Sequence, residues 1–244
     1  MKNIKITLAY EGTNYLGWQK TESGPSIEET VEKVLCQILQ QPIKLQAASR
    51  TDAGVHAEGQ VVNFFSDTRI PLDRLKKSCN ALLPGSIRIL DLEEAPPSFH
   101  PTLDAKGKEY HYHICLGQTQ LPFDRRFSWH FVKPVDLSRI RTAAALLVGR
   151  HDFSALTNEK KDNNIREVYR IDIEEISPQR IRISVAGNHF LYKMVRNIVG
   201  TLLYVGCGML DIEVIDSLLN NGDRTEAGMT APAHGLSLKQ VMYD

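Results

Sequence analysis

The order in which strand-like and helix-like segments follow one another is the feature that most constrains this chain's fold. Segments that alternate apolar and polar residues, typical of half-buried strands, are separated by segments with apolar residues at helical spacing. Ser26 and Glu29 form a capping box at the start of the first helix. The segments of the first part are a strand at 4–10, a helix between Ser26 and Pro42, strands at 43–47 and 60–65, a helix at 72–82 opened by Pro71, and a strand at 87–91. This β-α-β-β-α-β order predicts a ferredoxin-like unit.

The second part repeats this order with one additional helix. Its segments are a strand at 108–115, a helix at 138–148, strands at 168–176 and 181–186, a helix at about 189–205, a short helix at 212–219 and a strand at 235–241. The proline-rich segment 94–104 is predicted to be a linker, so we expect two halves, residues 1–103 and 104–244. The repeat favours an α+β fold. Two ferredoxin-like halves would form one broad, mostly antiparallel sheet with helices on one face and an active-site cleft between the halves.

The amino-acid composition limits the classes of protein to which this chain can belong. The 244 residues are 42% hydrophobic and 24% charged, which is sufficient for a folded core. The sequence has no apolar run long enough to span a bilayer and no signal-peptide core, so we expect a soluble, cytoplasmic protein without membrane contact. The 29 basic and 29 acidic residues argue mildly against binding nucleic acid by bulk charge, but they allow a basic cleft. The four cysteines are widely spaced, which favours reduced thiols.

A dense polar stretch at residues 49–57, which we term the aspartate loop, lies between two predicted strands. It contains Arg50, Asp52, Gly54 and His56. An arginine two residues before Asp52 would keep that carboxylate ionised, and an ionised aspartate on an open loop can be a nucleophile, a base or a metal ligand. The spacing alone favours an Asx-turn, in which the Asp52 side chain bonds its own backbone.

Aromatic side chains and histidines alternate on the predicted strand at 108–115. Tyr110 and Tyr112 share one face, and His111 and His113 share the other. Two histidines at this spacing can bind a metal, but no third ligand lies nearby in the sequence, so we predict solvent-side histidines and no metal site. Tyr112 fits a core position.

One arginine interrupts the apolar helix predicted at about 189–205. A buried stripe is expected from Leu191, Val195, Ile198 and Leu202, and Arg196 lies beside it. Arg196 can extend its guanidinium to solvent, or it can pair with a carboxylate such as that of Asp52 across the cleft.

Several runs of residues together resemble one protein family, the bacterial tRNA pseudouridine synthase A family. They are Arg50-Thr51-Asp52-Ala53-Gly54-Val55-His56-Ala57, Lys108-Glu109-Tyr110-His111-Tyr112, Met194-Val195-Arg196-Asn197-Ile198-Val199-Gly200 and Thr230-Ala231-Pro232-Ala233-His234-Gly235-Leu236. With Gly12 and Trp18-Gln19, the resemblance extends over nearly the whole chain. The chain departs from the family pattern at Ser49, at Pro101-Thr102 and in the loop 158–164. These departures concern RNA contacts more than the reaction.

The resemblance implies a function and a set of site residues. Asp52 would be the catalytic residue, Tyr110 would pack on the target base, and Arg196 would pair with Asp52, with Arg50 as a further substrate-binding candidate. The implied reaction isomerises uridines 38, 39 and 40 of the tRNA anticodon stem-loop to pseudouridine and uses no cofactor or metal. Family members are homodimers in which one tRNA crosses both subunits, so the resemblance also implies a homodimer here.

The nearest alternative is a pseudouridine synthase of the same fold with a different specificity, and two functions of other classes also fit the same residues. A non-catalytic RNA-binding protein can use a ferredoxin-like sheet with stacking aromatics, and it would bind RNA without forming a product. A hydrolase can use a carboxylate pair such as Asp52 and Glu58, as glycosidases do, and it would release free uracil or sugar.

Overall fold

The computed structural model describes residues 1–159 and 162–243. The chain forms two compact units. One consists of residues 1–106 with the C-terminal segment from Ser237, and the other consists of residues 107–236. Each unit combines helices with a mostly antiparallel sheet, so the predicted α+β class is confirmed.

The first unit contains the predicted β-α-β-β-α-β order. Its elements are β1 (Lys2–Tyr10), α1 (Ile27–Leu39), β2 (Gln46–Ala47), β3 (His56–Ser66), α2 (Leu72–Leu82) and β4 (Ile87–Ala95). Its strands are ordered β4-β1-β3-β2, and each of these neighbours pairs antiparallel. The aspartate loop therefore connects the short edge strand β2 to the long central strand β3.

The second unit contains five strands and three helices among its described residues. Its elements are β5 (Gly107–Cys115), β6 (Trp129–His130), α3 (Leu137–Leu146), β7 (Gly149–Asp152), β8 (Ile165–Ser177), β9 (Arg180–Gly187), α4 (Met194–Gly206) and α5 (Val214–Asn221). Its strands are ordered β6-β5-β9-β8-β7, with β6 parallel to β5 and the other neighbours antiparallel. The chain ends in β10 (Leu236–Met242).

The core of the first unit follows from the sequence pattern. The alternating residues Ile4, Ile6 and Leu8 of β1 are fully buried. The Ser26 hydroxyl accepts the backbone N–H of Glu29 at 3.2 Å, so the predicted cap starts α1. The side chains of Tyr15 and Trp18, in the loop after β1, are also buried. These aromatics anchor the loop to the core.

Several element boundaries differ from the sequence prediction. Strand β4 continues through Ala95, into the segment predicted as a linker. Helix α4 begins at Met194, later than predicted, because Lys193 has a left-handed backbone with φ 61°. Strands β6 and β7 were not predicted, because two and four residues are too short to show a clear alternation.

The last strand belongs to the first unit, whereas the sequence placed it with residues 104–244. Ser237 pairs in parallel with His56, and Leu238 with Ala57, so β10 lies beside the start of β3. The division between the units falls after Lys106. The pairing of β10 with β3 joins residues far apart in sequence and places β10 in the first unit.

The helices and the cysteines of the described chain can be compared with the sequence prediction. Within residues 1–159 and 162–243, every helix is too short or too polar to cross a bilayer. All four cysteines are free thiols; Cys79 and Cys115 are buried, and Cys36 and Cys207 are half-buried. Burial raises the pKa of the Cys79 thiol to about 11.

Candidate active site

The aspartate loop turns sharply immediately after Asp52. The backbone carbonyl of Asp52 accepts the N–H of Val55 at 3.1 Å, which closes a four-residue turn. Gly54, the third residue of this turn, has a φ of 78°, as a type II turn requires at that position. Asp52 is half-buried and Arg50 is exposed. The turn therefore presents a carboxylate at the border between protein and solvent.

The loop after β1, residues 11–20, holds the aspartate loop by backbone contacts. Trp18 donates its N–H to the Thr51 carbonyl at 3.0 Å, and Gly54 donates to the Tyr15 carbonyl at 3.3 Å. A Cβ atom on Gly12 would lie 2.0 Å from the Val55 carbonyl oxygen. The two loops approach so closely that only glycine fits at this position.

Buried side chains support the aspartate loop from beneath. The Tyr10 and Thr51 hydroxyls form a hydrogen bond at 2.8 Å. Gln60 donates from Nε2 to the Ser49 carbonyl at 2.7 Å and accepts the Ser49 N–H at its Oε1 at 3.3 Å. These contacts fix the backbone on the N-terminal side of Asp52. Preorganisation of this kind is what a catalytic side chain needs from its scaffold.

His56, predicted to lie in the loop, is the first residue of β3 and is buried. Its Nδ1 accepts the backbone N–H of Gly12 at 3.1 Å. Nδ1 is therefore the acceptor atom that joins the ring to the loop after β1. His56 therefore serves as a link between the two loops.

Tyr110 and Tyr112 lie on the apolar face of β5. Tyr112 is fully buried and donates its hydroxyl to the Pro232 carbonyl at 2.7 Å, which confirms the predicted core role. Tyr110 lies opposite Val185 of β9 and packs edge-on against the Phe190 ring, with 5.3 Å between the ring centroids. Only 7% of Tyr110 is exposed. The ring is thus held in place by its neighbours.

Arg196 projects from the first turn of α4 and is half-buried. Its Nε donates to the Ala231 carbonyl at 2.7 Å, and the Ala231 N–H returns a bond to the Arg196 carbonyl at 3.1 Å. Burial raises the pKa of Tyr112, and the positive charge of Arg196 acts in the opposite direction. Burial lowers the pKa of His234, and the same charge adds to this shift. The segment around residue 231 therefore positions the guanidinium.

His111 is not on a solvated surface, contrary to the prediction. It is buried, and its Nε2 lies 3.0 Å from Oε1 of Glu109, whose other oxygen accepts from Arg170 at 3.0 Å. Three possible metal ligands do not converge at any point in residues 1–159 and 162–243. The polar face of β5 therefore carries two buried polar side chains, Glu109 and His111, which the exposed Arg170 links to β8.

The structure places the predicted site residues in both units. Asp52 and Arg50 lie in the first unit, and Tyr110 and Arg196 lie in the second; the pairing of Asp52 with Arg196 remains a prediction. Sequence reasoning missed the supporting role of Gln60, because a polar residue on an alternating strand normally points to solvent.

Comparisons with known proteins confirm the family expected from the motifs. A family model described as tRNA pseudouridine synthase matches residues 6–104 and 143–244. The tRNA pseudouridine synthase A 2 of Protochlamydia amoebophila is 52% identical over 100% of this chain and 95% of its own length. The tRNA pseudouridine synthase A of Thermoanaerobacter sp. (strain X514) is 40% identical over 100% of both chains. A chain of the solved Cbf5-Nop10-Gar1 complex matches with a TM-score of 0.40 at 16% identity, over 96% of this chain and 48% of that one. The chain belongs to the tRNA pseudouridine synthase family.

Proposed function

We propose that the protein converts uridines 38, 39 and 40 of the tRNA anticodon stem-loop to pseudouridine, in the cytoplasm, with Asp52 as its catalytic residue. The observation that carries this proposal is the aspartate loop, which lies inside the matched family region and presents Asp52 on a backbone held from two sides. Arg196 also lies inside the matched region.

The reaction requires one carboxylate at the ribose. The bond from N1 of uracil to C1′ breaks, the base turns, and C5 bonds to C1′ while the C5 proton leaves and N1 takes a proton. Asp52 can attack C1′ or remove the C2′ proton to give a glycal, and its half-buried position suits either step. The target base must leave its stack, at a cost of a few kcal/mol that is smallest near loops and stem ends.

The two arginines take different roles in this proposal. Arg196, oriented by Ala231, pairs with the Asp52 carboxylate and aims it, since charge-assisted hydrogen bonds are strong and directional. Arg50 is exposed two residues before Asp52, which suits a contact with an RNA phosphate.

Tyr110 is proposed to contact the uracil. Replacing Tyr110 with phenylalanine keeps the packing on Phe190 and removes only the hydroxyl. If that hydroxyl assists loss of the C5 proton, turnover falls by about 10²-fold or more, as for other proton-transfer groups, while tRNA affinity is retained. Single-turnover rates and filter binding measure the two effects separately.

The matched control is Tyr112→Phe. It removes the hydrogen bond to the Pro232 carbonyl and should lower stability by about 1 kcal/mol, with little effect on the chemical step. Equal loss of turnover in both variants would contradict a chemical role for the Tyr110 hydroxyl.

The protein is also proposed to act as a homodimer that binds one tRNA across both subunits. Its 29 basic and 29 acidic residues give one subunit no excess positive charge, so a basic surface shared by two subunits would suit an RNA of this size. Sedimentation with and without tRNA tests this stoichiometry.

Tritium release from tRNA transcripts labelled at C5 of uridine tests the function. Joining through C5 must expel that hydrogen, so the wild-type protein should release tritium, and transcripts lacking uridine at 38, 39 and 40 should release none. Release of free uracil instead would support a hydrolase. Binding without any release would support an RNA-binding protein.

A further inference from the structure

The mechanism above leaves one buried cation in the second unit without a role. Lys108 on β5 is only 7% exposed. In the part of the chain that the structure describes, its ammonium group makes no hydrogen bond and no ion pair with a carboxylate. A buried unpaired charge is unfavourable, so an anion from outside the chain is the natural partner for this ammonium.

Lys108 lies beside the residue proposed to contact the base. Residues two apart on a strand share a face, so Lys108 and Tyr110 lie about 7 Å apart along β5. The residue opposite Lys108 on β9 is Gly187, which has no side chain to cover the lysine. The next turn of the chain brings Phe190 against the Tyr110 ring.

Two further basic side chains, those of Arg166 and His189, lie near Lys108. Gly187 of β9 pairs with Lys108 on one side and with Val168 of β8 on the other, and Arg166 lies two residues before Val168, on the same face. Partial burial lowers the pKa of His189, and the charges of Lys108 and Arg166 lower it further. No carboxylate contributes to the shift of Lys108 or of His189. The buried Nε of Arg166 also has no hydrogen-bond partner among the described residues. The cluster therefore has unused positive charge and unused donors.

We propose that Lys108, with His189 and Arg166, forms a subsite for a phosphodiester of the RNA, next to the nucleotide whose base contacts Tyr110. This inference rests on the proposed function. A nucleotide with its base at Tyr110 carries its phosphate within reach of a cation farther along the same strand face. Lysine and arginine donors to phosphate fix the register of a bound RNA.

The variants Lys108→Met and Lys108→Arg test the subsite. Lys108→Met removes a charge-assisted contact and should lower kcat/KM for tRNA by about 10- to 100-fold. Lys108→Arg keeps the charge and should recover part of this loss. The slope of log affinity against log salt should fall by about one phosphate contact. Lys133→Met, which neutralises an exposed lysine of the same unit, is the matched control.

Thermal stability provides a second measurement. Lys108→Met should lower kcat/KM but raise the stability of the fold. Burial lowers the pKa of Lys108 from its ordinary 10.5 to about 8. Below about pH 8 Lys108 is charged in the folded protein, and the burial of that charge lowers the free energy of unfolding by its full amount. Between about 8 and 10.5 the unfolded chain binds more protons, so the stability of the wild type rises with pH. Lys108→Met should therefore have a higher Tm than wild type at pH 7, and the difference should shrink towards pH 10.

The outcomes separate this inference from the proposed function. If wild type releases tritium and Lys108→Met retains both kcat/KM and salt slope, the subsite is wrong and the function stands. If wild type releases none, the function is wrong, and the salt slope still decides whether Lys108 binds RNA phosphate. A lower Tm with an unchanged salt slope would make Lys108 a packing residue only.

Discussion

Replacing Asp52 with asparagine should abolish tritium release from C5-labelled tRNA while leaving the fold and tRNA binding intact. Asparagine has nearly the same shape but is neither a nucleophile nor a base. The expected loss is at least about 10³-fold in turnover, the scale seen when a residue central to bond making is removed. Asp52 is half-buried and its backbone is held by Val55 and its neighbours, so the substitution should not disturb the loop.

Glu58→Gln is the matched control for Asp52→Asn. Glu58 is a nearby carboxylate, but it is exposed and pairs with Lys239 at 2.6 Å. Its loss should leave turnover within about twofold, because exposed ion pairs contribute little. Tritium release by Asp52→Asn at the wild-type rate would exclude Asp52 from the reaction. An equal loss in Glu58→Gln would revive the carboxylate-pair hydrolase.

The second large effect is expected from Gly200→Ala in α4. A Cβ atom on Gly200 would lie 1.7 Å from the carbonyl oxygen of Met229, an overlap that only backbone movement can relieve. Gly228 faces the same turn of the helix, with its own Cβ position 2.6 Å from the Gly200 carbonyl oxygen. We expect a loss of about 3 kcal/mol or more in the free energy of unfolding. For a chain of this size, Tm would fall by roughly 10 °C.

Gly85→Ala is the control for this substitution. Its Cβ position has no atom within 4 Å, so the change should be close to neutral. Gly200→Ala should also lower turnover below its own Tm, because the displaced segment includes Ala231, which binds both the side chain and the backbone of Arg196. An unchanged Tm for Gly200→Ala would show that the helix and this segment do not pack as described.

The sequence by itself determined the elements whose stabilising contacts are local. The Ser26 cap and the apolar face of α1 lie within a few turns of each other along the chain. The alternation of β1 likewise identifies its buried side chains, because period two is a property of the strand alone. The resemblance of the run around Asp52 to a known family indicates the candidate active site without any tertiary contact, since that run is continuous in the chain.

Only the tertiary structure decided the features that depend on distant residues. The place of β10 depends on its pairing with β3, 181 residues earlier in the chain. The buried His111 ring shares a hydrogen bond with Glu109, which also accepts from Arg170 of another strand. Lys108 appears in the sequence as an ordinary polar residue at a strand start, and its burial depends on how β5, β9 and the segment after β9 come together. Burial and charge pairing are sums over neighbours in space, and a local pattern of residues does not contain those neighbours.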